Sequence, residues 1–339
     1  MSDFDLKERR FEEDIEESLI TYGGYTKGNF KSFNRKLALD TEIFVSFIKT
    51  SQPKLWERYT NIYGADSERQ VVERFCREVK MNGLLHVLHK GFKDRGIKFR
   101  AVFWKPETTI NQTTLDQYQS NIFHCIRQLH YSVFNENSIY IVLFINGIPV
   151  VSMELKCQFT GQSTANAINQ YKFDRASKDT IFAFKERVLV HFEVDLSSVY
   201  MTTKLDGDKT YFLPFNQGSN GAGNPINENG YDITYLWEEV LVKDRLLEIL
   251  HNYLHLQVDY DSNCNIKSKR MIFPRYHQLD VVIKLLEDVK ENGLGKNYLI
   301  QHSAGSGKSN SIAWLAHRLS GLHNVKNEKI FQSVIIVTD

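Results

Sequence analysis

Two short stretches of the sequence combine residue types that suit chemistry on phosphate esters. The first is Glu154-Leu155-Lys156, where an acid and a base end an apolar run. Side chains two residues apart on a strand share one face, so this carboxylate and ammonium would lie side by side. A carboxylate can bind Mg²⁺ while a lysine helps to activate water or stabilises developing phosphate charge. Because such pairs are common, a solvated salt bridge at a sheet edge is the alternative reading.

The second stretch is a glycine-rich loop that follows an apolar segment and precedes a helical pattern. It contains Gly305, Ser306, Gly307, Lys308 and Ser309, and it has His302 where the usual phosphate-loop pattern begins with glycine. Glycines let backbone N–H groups turn towards phosphate oxygens, and the positive end of the following helix adds to this attraction. Lys308 can reach the β- and γ-phosphates of ATP, and Ser309 can ligate Mg²⁺. The alternative is a turn that binds nothing.

A glutamine upstream of this loop, Gln278, is a candidate for nucleotide binding. It ends the segment Arg275-Tyr276-His277-Gln278. A glutamine amide has both a donor and an acceptor, so it can hydrogen-bond the edge of an adenine through both groups. The beginning of a surface helix is the other reading of this segment.

Composition excludes several classes of protein. The 339 residues are 42% hydrophobic and 24% charged, which is typical of a globular chain of about two domains. Apolar runs are too short to span a membrane, and the charged N-terminus is unlike a secretory signal. The four cysteines form no CxxC pair, which argues against a zinc module or disulfide scaffold and favours the reducing cytoplasm.

The net charge does not indicate nucleic-acid binding, because 42 basic residues balance 41 acidic ones. DNA binding would therefore need a local patch. The basic clusters at residues 90–100 and 267–270 could contact DNA phosphates, with solvated loops as the equal alternative.

Apolar patterns predict a chain of alternating helices and strands. Helices are predicted at residues 7–21, 35–50, 67–92, 163–177, 232–256, 276–291 and 308–320. Strands are predicted at residues 100–105, 122–131, 139–145, 148–156, 188–195, 199–204, 210–216, 297–301 and 331–338. Residues 217–231 are interpreted as a loop or domain connection, and residues 259–273 as a linker. The βαβ order after residue 296 predicts a parallel sheet that needs more chain to cover it, so we expect a longer protein.

Residues 138–156 resemble the core hairpin of PD-(D/E)xK nucleases and, more closely, that of the restriction subunit of type I restriction–modification enzymes. Further similar motifs follow in the family's order over most of the chain after residue 100. They are Thr160-Gly161-Gln162, Ala167-Ile168-Asn169-Gln170-Tyr171-Lys172, Thr203-Lys204-Leu205, Leu213-Pro214-Phe215-Asn216-Gln217-Gly218, Gly221-Ala222-Gly223-Asn224-Pro225, Tyr235-Leu236-Trp237, Arg275-Tyr276-His277-Gln278 and the loop at residues 302–309.

The resemblance implies an α/β fold with two parts. Residues 1–260 would form a PD-(D/E)xK-type nuclease domain, a mixed sheet flanked by helices, with a connecting segment. Residues 261–339 would form the first part of a RecA-like motor lobe of the superfamily 2 helicase type. Such subunits use ATP to translocate duplex DNA and Mg²⁺ to cleave it when it is unmodified. They act with a modification (methyltransferase) subunit and a specificity subunit, and not at a membrane. The chain by itself is expected to be a weak or inactive ATPase.

The resemblance also implies roles for individual residues. Glu154 would be a metal ligand and Lys156 the catalytic lysine. Gln170 would belong to a secondary nuclease motif on the following helix. Glu12, in the first helix, would be another metal-binding acid, with Glu16 one turn later as its rival.

One position departs from the family pattern in a way that bears on catalysis. The first metal-binding aspartate of the family would fall at position 140, where this chain has Tyr140. A phenol with a pKa of about 10 is a poor Mg²⁺ ligand at neutral pH, so metal affinity and cleavage are expected to suffer. The nearest acid upstream, Glu136, lies outside the apolar run. A DNA-binding or assembly subunit with an inactive nuclease, and a repair-type helicase–nuclease, are the rival interpretations.

The register of the hairpin decides whether position 140 can join Glu154. With a two-residue Asn-Gly turn, position 140 faces Met153 and lies on the opposite face from Glu154. With a three-residue turn, position 140 faces Ser152 and shares a face with Glu154. A nuclease site requires the second register or an equivalent bulge.

Overall fold

The structure, a computed structural model, describes residues 3–156, 178–218, 223–324 and 326–337, with side chains from residue 9 onwards. The strands are β1 (Thr26–Lys27), β2 (Phe33–Asn34), β3 (Leu39–Asp40), β4 (Phe92–Asp94), β5 (Ile97–Phe99), β6 (Phe123–His130), β7 (Ser138–Ile145), β8 (Ile148–Leu155), β9 (Val190–Val194), β10 (Val199–Thr202), β11 (Leu213–Pro214), β12 (His255–Tyr260) and β13 (Ile266–Ile272). The α-helices are α1 (Asp3–Thr21), α2 (Thr41–Ser51), α3 (Pro53–Tyr63), α4 (Ser67–Asn82), α5 (Leu84–Lys90), α6 (Gln112–Gln119), α7 (Lys243–Glu248), α8 (Tyr276–Asn292) and α9 (Lys308–Ser320). Two π-helical segments, Leu236–Val240 and Ile249–Tyr253, flank α7.

A seven-stranded mixed sheet with helices packed against it forms the centre of the protein. Its strand order is β1-β6-β7-β8-β9-β10-β11. Strands β6, β7 and β8 form an antiparallel meander, and β9 then pairs in parallel with β8. Strands β10 and β11 extend this edge in antiparallel pairs, and β1 runs parallel to β6 at the other edge. The predicted mixed sheet flanked by helices is confirmed at this level.

The two faces of the sheet bury different hydrophobic cores, because side chains alternate along each strand. Ile141 and Met153 point to the larger core, which also contains the buried side chains of α1 to α5. Val142 and Phe144 belong to a smaller core on the other face. Strand residues whose side chains lie on the same face as Val142 and Phe144 are therefore available to a site on the smaller-core side.

Helix α1 packs on the sheet because Phe11, Ile15 and Leu19 recur every four residues and are buried in the larger core. Their neighbours Glu12 and Glu16 are also buried, at the side of the helix that meets β6 and β7. Among the described residues, no helix is both long and apolar enough to cross a bilayer.

Most of the strands and helices that carry motifs match the sequence patterns. The predicted strands at 122–131, 139–145 and 148–156 are β6, β7 and β8, and the predicted helix at 308–320 is α9. The predicted strands at 188–195, 199–204 and 210–216 and the predicted helix at 276–291 are present with shifted ends as β9, β10, β11 and α8. The helix predicted at 163–177 lies outside the described residues.

Two predicted helices are interrupted. In the segment 35–50, residues 35–38 form a turn, and α2 begins only after Asp40, whose Oδ1 accepts a hydrogen bond from the N–H of Ile43 at 3.1 Å. In the segment 67–92, Gly83 has a φ of +88° and separates α4 from α5. Both interruptions follow from local chemistry, an aspartate cap and a left-handed glycine.

Two predictions for irregular segments are wrong in opposite directions. The segment 100–105 is not a strand, because the side chain of Asn121 binds both the N–H of Phe103 at 3.1 Å and its C=O at 2.7 Å. The segment 259–273 is not a linker, since most of it belongs to the antiparallel hairpin β12–β13. Polar composition therefore does not distinguish an exposed hairpin from a linker.

Three further predictions need correction near the C-terminal end. The helix predicted at 232–256 is broken at residues 241–242 and ends at Tyr253. The strands predicted at 297–301 and 331–338 are not formed in the described part of the chain, where neither segment pairs with another strand. Leu299 is 95% exposed. An apolar run forms a strand only when a partner satisfies its backbone, so the expected βαβ order is not observed there.

Candidate active site

The turn between β7 and β8 sets the starting register of the hairpin. Ile145 pairs with Ile148, so the turn contains only Asn146 and Gly147. Their φ values of +52° and +80° are those of a type I′ turn. A Cβ atom at Gly147 would lie 2.3 Å from the backbone oxygen of Asp40, so the turn also packs tightly against the beginning of α2.

A β-bulge changes this register a few residues from the turn. Phe144 pairs with Pro149, whereas Leu143 pairs with Val151, so Val150 is an extra residue in β8. One extra residue exchanges the two faces of the strand for every position beyond it. The proline lies at the bulge, where its missing N–H costs no regular ladder hydrogen bond.

The bulge brings Tyr140 and Glu154 to the same face. Ile141 and Met153 are the last residues that pair in the hairpin, and Tyr140 and Glu154 follow them on the two strands. Opposite residues on antiparallel strands present their side chains to one face. The hairpin therefore has the two-residue turn of the first predicted register. The bulge at Val150 then gives it the shared face of positions 140 and 154 that was predicted for the second register or an equivalent bulge.

Lys156 lies on this face as well. Its Nζ atom lies 5.4 Å from the centroid of the Tyr140 ring. Glu154 is completely buried, and Lys156 is only 7% exposed. This burial excludes the alternative reading of Glu154 and Lys156 as a solvated salt bridge.

The motifs in the sequence do not indicate Glu193, which is the strand neighbour of Glu154 on the side away from Tyr140. Strand β9 runs parallel to β8, and Glu154 pairs with Glu193 in their register. One row earlier, Ser152 Oγ and His191 Nδ1 share a hydrogen bond of 2.8 Å, so the paired side chains meet on one face. Glu193 is completely buried. An acid within the apolar run VHFEV is the only local signal that could have drawn attention to it.

These residues form a row across four strands. On β6, Gln128 lies between the residues that pair with the two neighbours of Tyr140 on β7. The row continues with Glu154 on β8 and Glu193 on β9. We call Gln128, Tyr140, Glu154 and Glu193 the polar row. Gln128 has a φ of +48°, a left-handed conformation that is uncommon in a strand.

Glu12 and Glu16 differ in how far their charges are already neutralised. Glu16 lies 3.0 Å from both Lys27 Nζ and Arg127 Nε. Glu12 Oε2 accepts a hydrogen bond from Gln128 Nε2 at 3.1 Å, whereas its Oε1 is buried and has no hydrogen-bond partner among the described residues. Burial raises the pKa of Glu12. Glu12 therefore has a buried carboxylate oxygen that remains available to a ligand.

A cleft of about 510 Å³ connects α1 to the polar row. It is lined by Glu12, Gln128 and Tyr140. Three basic side chains, Arg9, Lys27 and Arg127, also line it. The structure thus brings together the predicted residues Glu12, Glu16 and Tyr140 around one cleft, and it places Glu154 and Lys156 beside Tyr140.

The donor atoms of the polar row fit Mg²⁺, which typically takes one or two carboxylates and retains several waters. Glu154 and Glu193 lie on adjacent strands, whose backbones are about 4.8 Å apart. Within the described ranges, no group of three or more His, Cys, Asp or Glu side chains is arranged to hold a metal ion. The predicted residue Gln170 lies outside the described residues.

The glycine-rich loop forms a tight turn in front of α9. Gly305 and Gly307 have φ values of +74° and +83°. Lys308 begins α9 as predicted, and its Nζ atom donates to the backbone oxygens of His302 at 3.2 Å and Ser303 at 3.3 Å. The lysine therefore folds back across the loop, towards these two carbonyl oxygens.

Gln278 holds this loop against the beginning of α8. Its Oε1 accepts a hydrogen bond from the N–H of Arg275 at 2.9 Å, and its Nε2 donates to the backbone oxygen of Gly307 at 2.8 Å. Gln278 is 3% exposed, which argues against a plain surface position. Both amide groups have partners within the protein, so adenine binding stays a prediction. Ser306 is buried in the loop, and Ser309 is exposed at the second position of α9.

Comparison with known proteins gives a family context to this geometry. The family model "Type I restriction enzyme R protein N terminus" matches residues 10–210. The chain is 24% identical to the "Putative type I restriction enzyme MjaVIIIP endonuclease subunit" of Methanocaldococcus jannaschii, over 89% of this chain and 28% of that protein. It is 29% identical to the "Putative type I restriction enzyme MjaVIIP endonuclease subunit" of the same organism, over 56% of this chain and 17% of that protein. The chain thus spans less than a third of the length of either relative.

Proposed function

The chain belongs to the family of type I restriction enzyme R proteins, and on that premise we propose that it carries the DNA-cleaving centre of a restriction enzyme. The reaction is the metal-dependent hydrolysis of phosphodiester bonds in unmodified duplex DNA. The observation that carries this proposal is the face shared by Tyr140, Glu154 and Lys156, which the bulge at Val150 creates. Both relatives are named as endonuclease subunits, which agrees with this reading.

The residues of this face can perform the steps that such a hydrolysis needs. Mg²⁺, when bound by the carboxylates, supplies charge neutralisation at the scissile phosphate. Glu154 orients that charge, and the ammonium of Lys156 donates hydrogen bonds to the attacking water or to a phosphate oxygen. Glu12 is held close to the same cleft by Gln128 and can complete the acidic surroundings. The burial of Glu154 and Lys156 strengthens these interactions, because bulk water screens them little.

The surroundings of the cleft support duplex DNA as the substrate. Arg9, Lys27 and Arg127 line the cleft together with Glu12 and Tyr140. Basic side chains at the edge of an acidic centre attract the phosphate backbone while the acids attract the metal. We therefore place DNA against the α1 side of the cleft, in contact with the exposed side chains of Arg9 and Lys27.

The proposed function also includes ATP binding and assembly with partner subunits. We assign residues 1–260 to a PD-(D/E)xK-type nuclease domain with its connection and residues 261–339 to the first part of a RecA-like motor lobe. The hairpin β12–β13 spans this boundary and would join the two parts. Lys308 would exchange its contacts with loop carbonyls for the phosphates of ATP, and Ser309 would face the accompanying Mg²⁺. ATP-driven translocation and assembly with modification and specificity subunits complete this function.

A cleavage assay tests the proposal. The protein is assembled with the modification and specificity subunits of its own system and incubated with unmodified circular DNA, ATP and Mg²⁺. Wild type should cut the DNA, and Glu154→Gln and Lys156→Met should reduce the rate at least 100-fold, because each removes a group that acts on the phosphate. Glu136→Gln is the control, since the Glu136 side chain is 77% exposed and is paired with Arg35.

The assay also separates the alternative function. Assembly and specific DNA binding without cleavage by wild type, together with cutting by Tyr140→Asp, would identify a DNA-binding subunit whose nuclease is inactive. Cleavage by Glu154→Gln at the rate of wild type would refute the proposed centre.

A further inference from the structure

Two buried glutamates lie on neighbouring strands at the candidate active site. Glu154 and Glu193 are register partners on β8 and β9, and both side chains are completely buried. The hydrogen bond between Ser152 and His191, one row earlier, shows that paired side chains of these strands converge on one face. The side chain of Glu193 is therefore directed to the same side of the sheet as that of Glu154.

The two neighbours of Glu154 in the polar row have different chemistry. On the β7 side lies Tyr140, whose phenol is a poor ligand for Mg²⁺ at neutral pH. On the β9 side lies Glu193, whose carboxylate is the donor that Mg²⁺ prefers. Of the two residues beside Glu154 in the described part of the sheet, Glu193 is thus the one that can share a hard divalent cation with it.

We propose that Glu193 is the second carboxylate ligand of the catalytic divalent cation, paired with Glu154 across β8 and β9 in place of an acid at position 140. This inference rests on the proposed nuclease function and deepens it. Glu154 on β8 stays a ligand, and its partner lies on β9 instead of on β7.

Charge and burial support this pairing. Two carboxylates that share a buried position repel each other, and a divalent cation between them removes that repulsion. The single positive charge of Lys156 lies on the same face, 5.4 Å from the Tyr140 ring. Buried Glu12 supplies a carboxylate oxygen without a hydrogen-bond partner among the described residues, at the cleft that Tyr140 lines.

The next acid, Asp195, directly follows β9 and cannot take this role as readily. Asp195 Oδ1 accepts hydrogen bonds from the N–H groups of Ser197 at 2.8 Å and Ser198 at 2.7 Å. These bonds hold the turn between β9 and β10. Asp195 is therefore committed to the turn, whereas Glu193 lies in the row that contains Glu154.

Metal binding by the 339-residue chain tests the inference without requiring cleavage. Isothermal titration calorimetry with Mg²⁺, repeated with Mn²⁺, measures the affinity of wild type, Glu154→Gln, Glu193→Gln and the control Glu136→Gln. We expect Glu154→Gln and Glu193→Gln each to weaken binding at least 10-fold and Glu136→Gln to leave it unchanged. Far-UV circular dichroism and thermal melting in EDTA verify that the variants fold.

A transplanted carboxylate provides a second test that a merely structural role of Glu193 would fail. The double variant Tyr140→Asp/Glu193→Gln moves the acid from one neighbour of Glu154 to the other. We expect the double variant to regain at least half of the Mg²⁺ affinity, on a logarithmic scale, that Glu193→Gln loses. Because it keeps the substitution at Glu193, such a recovery also excludes misfolding as the cause of the loss.

The outcomes separate this inference from the proposed function. Wild-type affinity in Glu193→Gln, with weakened binding in Glu154→Gln, would overturn the role of Glu193 and leave the nuclease centre at Glu154. Unchanged affinity in both variants, or no binding by wild type, would overturn the inference, and cleavage that survives Glu154→Gln would separately overturn the proposed function. Failure of the double variant to regain affinity would also count against Glu193 as a ligand.

Discussion

Replacement of Tyr140 by aspartate tests the register of the hairpin through its electrostatic consequences. Tyr140 and Glu154 follow the last residues that pair in the hairpin, and Lys156 Nζ lies 5.4 Å from the centroid of the Tyr140 ring. Cβ atoms of opposite residues in an antiparallel pair are about 5 Å apart. The substitution therefore introduces a negative charge beside a carboxylate that is completely buried.

The expected loss of stability follows from these positions. Two unit charges about 5 Å apart repel by about 3 kcal/mol at an effective dielectric constant of about 20. The loss of the contact between the Tyr140 ring and Lys156 adds about 0.5–1 kcal/mol, while attraction between the new carboxylate and Lys156 offsets part of the sum. We expect Tyr140→Asp to lower the free energy of unfolding by about 2 kcal/mol in EDTA.

Excess Mg²⁺ should restore most of this loss, because a cation bound among the carboxylates converts their repulsion into attraction. Urea unfolding followed by far-UV circular dichroism, in EDTA and in Mg²⁺, measures both effects. Tyr140→Asn is the matched control, since it has the size of aspartate without its charge. Equal stability of the two variants in both buffers would refute the placement of position 140 beside Glu154.

Three further outcomes are expected. Burial lowers the pKa of His191 to about 3, so below pH 6.5 the unfolded chain binds a proton that the folded chain does not. The free energy of unfolding should therefore fall by about 1.4 kcal/mol per pH unit below that pH. Urea titrations at pH 7 and pH 5 should show a smaller fall in His191→Gln than in wild type. Lys308→Ala should abolish binding of a fluorescent ATP analogue without changing the circular dichroism spectrum, and retained binding would contradict its phosphate role. Gly147→Ala should lower the free energy of unfolding by about 3 kcal/mol, because its Cβ would clash with the backbone oxygen of Asp40. Gly96 has a similar φ but open space around it, so Gly96→Ala should lower the free energy of unfolding by only about 1 kcal/mol. Equal losses of stability in thermal melts of the two variants would contradict the clash.

Local sequence signals predict the parts of the site that depend on neighbouring residues. The Asn-Gly turn, the apolar strands around it and the pair Glu154 and Lys156 all lie within 20 consecutive residues, and the structure has the predicted hairpin. The same is true of the helix that begins at Lys308 after its glycine-rich loop. Side-chain alternation and turn chemistry suffice for these elements.

The register and the neighbours of Glu154 depend on contacts that no local pattern contains. The extra residue Val150 is one apolar residue among several, and nothing in the run marks it as a bulge. Glu193 becomes a partner of Glu154 only because β9 pairs in parallel with β8. The hairpin β12–β13 has a polar sequence that resembles a linker, because Met271 is the only residue of its two strands that is buried.

The position of the bound metal tests the central claim most directly. Fe²⁺ that occupies the Mg²⁺ site generates hydroxyl radicals with ascorbate and peroxide, and these radicals cut the polypeptide near the ion. We expect fragments that end near residues 140, 154 and 193. Excess Mg²⁺ should suppress these fragments, and the double variant Glu154→Gln/Glu193→Gln should lack them. Fragments confined to other parts of the chain, or cuts near residue 154 that persist in this variant, would contradict the proposed metal centre.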